Sequence, residues 1–219
     1  MKRLVLFVVF FVASASVAFA TQIGPAMPAA DHGQVSVGAG YLNHQAEWDD
    51  VEIEQNRIYV HLGYGLGMED EPRWEVYLRG GAADLEAEDL DGDYEPFFIG
   101  GVKGAFYETD VFAWGIVLQG GYFFDVEDED TGVEIQDAYE LEVALPFELH
   151  HGALQVYAGP VGFIAKGDAE DGTGTTELEE DNNVGGFGGI VLDFDGFSIG
   201  AEAQYKSDFS AGGMVSFQF

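Results

Sequence analysis

From residue 34 to the final Phe219, apolar and polar side chains alternate with a period of two in one segment after another. A strand shows successive side chains to opposite faces, so this pattern dictates β-structure with two chemically distinct sides. No stretch after residue 20 holds 18 consecutive apolar residues, which leaves no transmembrane helix. Glycine and acidic clusters punctuate the alternation, and strands are expected at 34–46, 53–66, 73–85, 96–107, 111–125, 134–149, 153–165, 183–193, 196–206 and 211–219. The fold class is therefore all-β. A closed antiparallel up-and-down transmembrane barrel of about ten strands fits best, with eight as the alternative count.

The connections alternate in kind. NHQAEWDDVE (43–52), LEAEDLDGDYEP (85–96), VEDEDTGVE (126–134) and KGDAEDGTGTTELEEDNN (166–183) are long and mostly acidic, whereas GMEDEP, ETD, HHG and DFDG are short; the brief KSDFSA (206–211) is the exception. An antiparallel meander sends alternate connections to opposite ends, so the chain predicts long outer loops and tight periplasmic turns. An even strand count puts both termini at the short-turn end.

Aromatic spacing supports the same layout. Phe98 and Phe106, Trp114 and Tyr122, Tyr139 and Phe147, and Phe197 and Tyr205 each share a face of one strand, eight residues apart. At about 3.3 Å per residue and a tilt near 40°, eight residues rise about 20 Å, close to the ~25 Å apolar band between two aromatic girdles. Tyr41 suits the outer girdle; Tyr64, Trp74, Phe217 and Phe219 suit the inner one. With these residues facing lipid, the opposite parity collects Arg57, Arg73, Glu75, Arg79, Lys103, Glu140, Glu142, Glu148, Glu202 and Lys206, together with Tyr59, His61, Tyr77, Gln119, Tyr157 and Gln204. Such mixed charges should pair and plug the lumen, because an isolated buried charge is costly. Parity alone leaves open a soluble lipocalin-type barrel, with apolar residues inside and charges outside. Pro146 and Pro160 fall inside strands six and seven, where bulges are expected.

The N-terminus sets the compartment. MKR, LVLFVVFFV and Ala18-Phe19-Ala20 read as a secretory signal peptide over 1–20, followed by a short periplasmic segment at 21–33 and the barrel at 34–219. Without Lys2 and Arg3 the chain keeps six basic residues against 40 acidic ones, a net −34. Nucleic acid is thereby excluded as a partner. Cysteine is absent, so disulfide and thiol chemistry are excluded too.

With MKR…AFA at the start, ten amphipathic strands and VSFQF at the end, the chain resembles the small bacterial outer-membrane β-barrel proteins, the broad group that includes OmpA- and OmpX-type barrels. The resemblance implies outer-membrane lipid and lipopolysaccharide as surroundings. It also implies that Val215, Phe217 and Phe219 form the signal read by the barrel-assembly machinery. The barrel is expected to be a monomer.

Candidate chemistry is sparse. Barrel enzymes use His with Asp or Ser. Here His32, His150 and His151 lie at the periplasmic end, His61 belongs among lumen residues, and His44 sits near Glu47, Asp49 and Asp50. No cofactor and no catalytic activity are expected. Asp89, Asp91 and Asp93 alternate faintly like a calcium loop but lack its register, so divalent cations are at most weak partners of the acidic loops. The Gly-Gly steps, such as Gly80-Gly81 and Gly120-Gly121, have no phosphate-loop context and serve strand curvature. The expected function is a non-catalytic structural or surface-interaction barrel, with a narrow cation-preferring pore as the alternative.

Overall fold

The computed structural model describes residues 22–48, 51–67, 73–87, 90–127, 134–170 and 174–219. Thirteen strands lie among these residues: β1 (Val35–Trp48), β2 (Val51–Leu66), β3 (Trp74–Ala87), β4 (Leu90–Glu108), β5 (Phe112–Phe123), β6 (Val126–Glu127), β7 (Glu134–Ala144), β8 (Phe147–His151), β9 (Leu154–Glu170), β10 (Thr175–Glu179), β11 (Val184–Asp193), β12 (Phe197–Tyr205) and β13 (Phe209–Gln218). β7 and β8 are one stave broken at Leu145–Pro146, since both pair with β5 on one side and β9 on the other. Ten antiparallel staves thus form a closed barrel, and the short β6 and β10 continue the lines of β5 and β11, pairing with the far ends of β7 and β9.

The last strand closes the barrel on the first. β13 pairs with β1 from Ser36↔Gln218 to Asn43↔Ala211, and Val35 and Phe219 exchange backbone hydrogen bonds of 3.1 and 2.9 Å. Phe217 and Phe219 stand on the outer face of this seam, half-exposed or more. Closure leaves none of the ten staves at an open edge among the described residues, and a closed sheet is the one that satisfies its backbone in a medium without water.

The outer face carries the apolar residues. Ile58, Val60, Leu62, Leu78, Leu141 and Val143 are each about half exposed or more, while Arg57, Tyr59, His61, Tyr77 and Arg79 between them are at most 3% exposed. This is the inverse of a lipocalin-type barrel. Aromatic contacts run round the short-turn end from Trp74 to Phe106 (5.9 Å between ring centroids), Trp114 (5.3 Å) and Phe147 (6.3 Å), and resume between Phe197 and Phe217 (5.1 Å).

Toward the other end the polarity reverses. Leu42, Ala46, Trp48, Ile53, Leu85, Phe97, Phe123, Val126 and Ile135 form an apolar cluster inside the barrel, with Glu47, Glu52 and Glu86 outside. This upper storey has the pattern of a barrel in water. It corrects the expected long loops at 43–52 and 85–96. β1 and β2 remain paired to Trp48↔Val51, and β3 and β4 to Ala87↔Leu90, so each hairpin ends in a two-residue connection. Acidic composition there marks the outer face of a strand, not a break in it.

The expected bulges at Pro146 and Pro160 are absent. Residue numbers paired across β7–β9 and β8–β9 keep one register on both sides of the break, Ala144↔Val161 and Phe147↔Ala158. Gly115 still donates to the Pro146 carbonyl (3.2 Å), and Leu145 to that of Pro160 (3.1 Å). Each proline therefore removes only the ladder bond of its own missing N–H. The register shifts instead at Ala83/Leu85, Ala105/Tyr107 and Gln136/Tyr139.

The segment expected to lie in the periplasm at 21–33 also differs. Its described part enters the barrel at the short-turn end, where Gly33 donates to Gly65 and Gly65 to Gln34. Ile23, Ala26 and Ala30 are at most 1% exposed. We call residues 22–30 the strap.

Candidate functional site: the lumen and its strap

Three tyrosines shape the lower lumen. Tyr59, Tyr77 and Tyr157 each lie over the glycine directly across the ladder, Gly40, Gly101 and Gly189, where a Cβ would collide with the ring. The rings flatten against the wall and leave an axial channel, which the strap occupies. Tyr59 Oη donates to Gln22 Oε1 (2.9 Å), and the Arg79 guanidinium donates to the Gln22 carbonyl.

Carboxylates from three staves hold the strap by its backbone. Glu202 on β12 accepts the N–H groups of Ile23 (2.8 Å) and Gly24 (2.7 Å), as well as Tyr157 Oη (2.8 Å) and Gln204 Nε2 (2.7 Å). Glu148 on β8 accepts the Met27 N–H (2.8 Å), with His150 Nε2 at 3.1 Å. Glu75 on β3 accepts the Ala29 N–H (2.6 Å) and Ser36 Oγ (3.1 Å), with His61 Nε2 at 3.1 Å and Lys103 Nζ at 3.8 Å. Gly63 makes room for this last group, because a Cβ there would strike the Glu75 carboxylate. Ile23 packs among Tyr77, Val117, Tyr157 and Phe187, and Met27 against Ala105 and Ala113.

Above the strap lies a second charged layer. Arg57 pairs with Glu140 (3.1 Å), Lys206 pairs with Glu140 (3.2 Å) and with Glu142, and Gln119 donates to Glu142. Both cations also face aromatic rings, Arg57 over Phe123 (4.4 Å) and Lys206 over Phe163 (4.8 Å). Two cations and two carboxylates balance in charge, which is what their burial requires.

The sequence-predicted residues thus fall into two buried groups: Glu75, Arg79, Lys103, Glu148 and Glu202 around the strap, and Arg57, Glu140, Glu142 and Lys206 above it. Arg73 is the correction. Its side chain is 33% exposed at the short-turn rim, where it pairs with Asp31 (2.9 Å) and Glu108 beside a cavity of about 740 Å³. Strand parity sent it inward, but it lies one residue before β3 begins. Lys166 lies outside the lumen, paired with Glu177 (2.8 Å) and Glu179 (3.0 Å).

Among the described residues, neither His44 nor His61 is set in the nucleophile–base–acid order of a triad. His44 turns inward to Ser210 (3.4 Å) and Glu47 is exposed outside, while Asp49 and Asp50 lie outside the described residues. Ser36 Oγ (3.2 Å) and Glu75 approach the same His61 nitrogen, whereas a nucleophile triad uses one ring nitrogen for the nucleophile and the other for the acid. Asp91 and Asp93 belong to β4 and not to a loop, and Asp89 lies outside the described residues. Among the described residues no cluster of three His, Asp or Glu is placed to hold a metal ion.

The strap's role was missed from sequence. Its signal was present: 21–30 carries no charge in a chain with 40 acidic residues, and its only large apolar side chains, Ile23 and Met27, are separated by Gly24, Pro25 and Ala26.

No protein-family model matches the chain. No curated protein matches it in sequence. Among solved structures it is similar to the translocator domain of the autotransporter NalP from Neisseria meningitidis, with TM-score 0.55 and 11% identity over 85% of this chain and 87% of that one. It is also similar to an outer membrane channel from Pseudomonas putida F1, with TM-score 0.51 and 10% identity over 91% of this chain and all of the other. At these identities the likeness is one of fold: the chain has the architecture of bacterial outer-membrane barrels.

Proposed function

We propose that this protein is a sealed, monomeric outer-membrane β-barrel with a non-catalytic, structural or surface-interaction role. Its short-turn end faces the periplasm, and its acidic hairpins meet lipopolysaccharide and divalent cations outside. The apolar outer belt supports residence in lipid, because large aliphatic side chains left half exposed to water forfeit roughly half of the about 1.5–3 kcal/mol that full burial gives each. The observation that carries the sealed reading is double occupancy of the lumen. The strap fills the lower half, and the Arg57–Glu140–Lys206–Glu142 layer closes the upper half. A pore selective for one ion sign would keep a ring of like charges, whereas both signs here are engaged with each other or with backbone.

Two measurements test this. In cells, the protein is expected in the outer-membrane fraction as a heat-modifiable band; recovery as soluble periplasmic protein would refute membrane residence. In planar bilayers, purified protein is expected to give no steady conductance. Stable porin-scale openings would overturn the seal and favour the pore reading instead.

A further inference from the structure

Segments that simply fill a hole do so with side chains, but this strap is held mainly by its backbone. Four of its N–H groups, at Ile23, Gly24, Met27 and Ala29, are each taken by a wall carboxylate at 2.6–2.8 Å. Pro25 and Pro28, which have no N–H to offer, fall between these contacts. The other residues from Gly24 to Ala30 are small, so an irregular chain, with Gly24 at φ +81° and bends at Ala26–Met27 and Ala29–Ala30, threads the crowded lumen. Only Ile23 and Met27 enter apolar pockets.

The wall is built for such a ligand. Among the described residues, neither Glu148 nor Glu202 has a lysine or arginine within ion-pair distance, although both are at most 4% exposed. Without the strap Glu202 keeps only Tyr157 and Gln204 as donors, and Glu148 keeps only His150. A buried carboxylate short of donors is costly, and hydrogen bonds to a charged acceptor are the strong ones. We infer that the lower lumen is a peptide-binding site, specific for an irregular, uncharged segment with apolar anchors at its second and sixth positions, filled in cis by residues 22–30 and able to take the same segment in trans. Its ligand class is a chain terminus or loop rich in Pro, Ala and Gly.

The test uses the full chain. A specific protease site is inserted between His32 and Gly33, both exposed at the rim, and is cut after the barrel has folded in detergent. A synthetic peptide of residues 22–30 (QIGPAMPAA), labelled at its C-terminal end, is then titrated against the cut protein, the uncut protein and an uncut Ile23→Asp variant, whose charged strap cannot occupy the apolar pocket. Saturable one-to-one binding is expected for the cut protein and for Ile23→Asp, with none for the uncut wild type. Glu202→Gln in the cut barrel should weaken binding about tenfold or more, as loss of hydrogen bonds to a charged acceptor requires. A peptide carrying Ile23→Asp should not compete. Failure of both cut and Ile23→Asp proteins to take up peptide, or equal uptake by the uncut wild type, would overturn the site. Neither result bears on membrane residence or on the seal, which fractionation and conductance decide separately.

Discussion

Replacing Lys206 with methionine removes one cation from a neutral buried set of four. The Lys206 side chain is fully buried and holds Glu140 at 3.2 Å as well as Glu142. After the change, Arg57 still faces Glu140 at 3.1 Å and Gln119 still donates to Glu142, but two carboxylates share one cation. Breaking a buried pair from one side typically costs about 3–5 kcal/mol, because it strands a charge in a medium that screens poorly. Methionine fills most of the lysine's volume against Phe163, so packing loss contributes little. The charge origin is separable: Lys206→Met with Glu142→Gln restores neutrality and should recover most of the loss. The assay is denaturant unfolding of the barrel refolded into lipid vesicles, read by tryptophan fluorescence and by the heat-modifiable shift, with the four members of the double-mutant cycle compared. A loss below about 1 kcal/mol for Lys206→Met, typical of an exposed pair, would refute the view that this layer is dry and charge-paired. So would a double variant as destabilised as the sum of the two singles.

Arg73→Ala should cost less than about 1 kcal/mol in the same assay, since its pairs with Asp31 and Glu108 are exposed at the rim. Deleting Phe219 should impair assembly in cells much more than deleting 171–173, judged by the yield of heat-modifiable protein, because Phe219 exchanges two backbone bonds with Val35 at the closing seam. Glu180 lies beyond the apolar belt on the acidic hairpin, bridged to Trp48 and accepting from Ser207 Oγ (2.7 Å). Burial raises its carboxyl above the ordinary value. The folded hairpin therefore holds that proton more tightly than the unfolded chain does, and its stability is greatest at low pH and declines as pH rises through the raised value. Protection of 174–183 from proteolysis should increase on acidification from neutral pH, and Glu180→Gln should flatten that dependence.

The ten staves, the closing strand and the parity of the wall were legible in the sequence because they are local. Period two needs no partner to be visible, and a bilayer enforces it: Ile58, Val60 and Leu62 cannot exchange faces with Arg57, Tyr59 and His61 without putting charge into lipid. The upper storey was misread for a related reason. Above the belt water surrounds the wall, so the same alternation continues with its meaning reversed. Trp48 and Ile53 turn inward while Glu47 and Glu52 face out, and acid-rich strands took on the look of loops.

The sequence by itself determined which residues share a face, that the chain can form a closed wall, and that charges of both signs collect on its inner side. Tertiary structure alone decided how the inner carboxylates are satisfied. Parity assigns Glu75, Glu148 and Glu202 to the lumen but cannot say what meets them there. Their partners are backbone N–H groups 46, 121 and 179 residues distant in sequence. A backbone N–H is the same group at nearly every residue, so no pattern of side chains announces where it will be used. Only closure of the barrel around residues 22–30 creates a dry lumen in which those donors outcompete water.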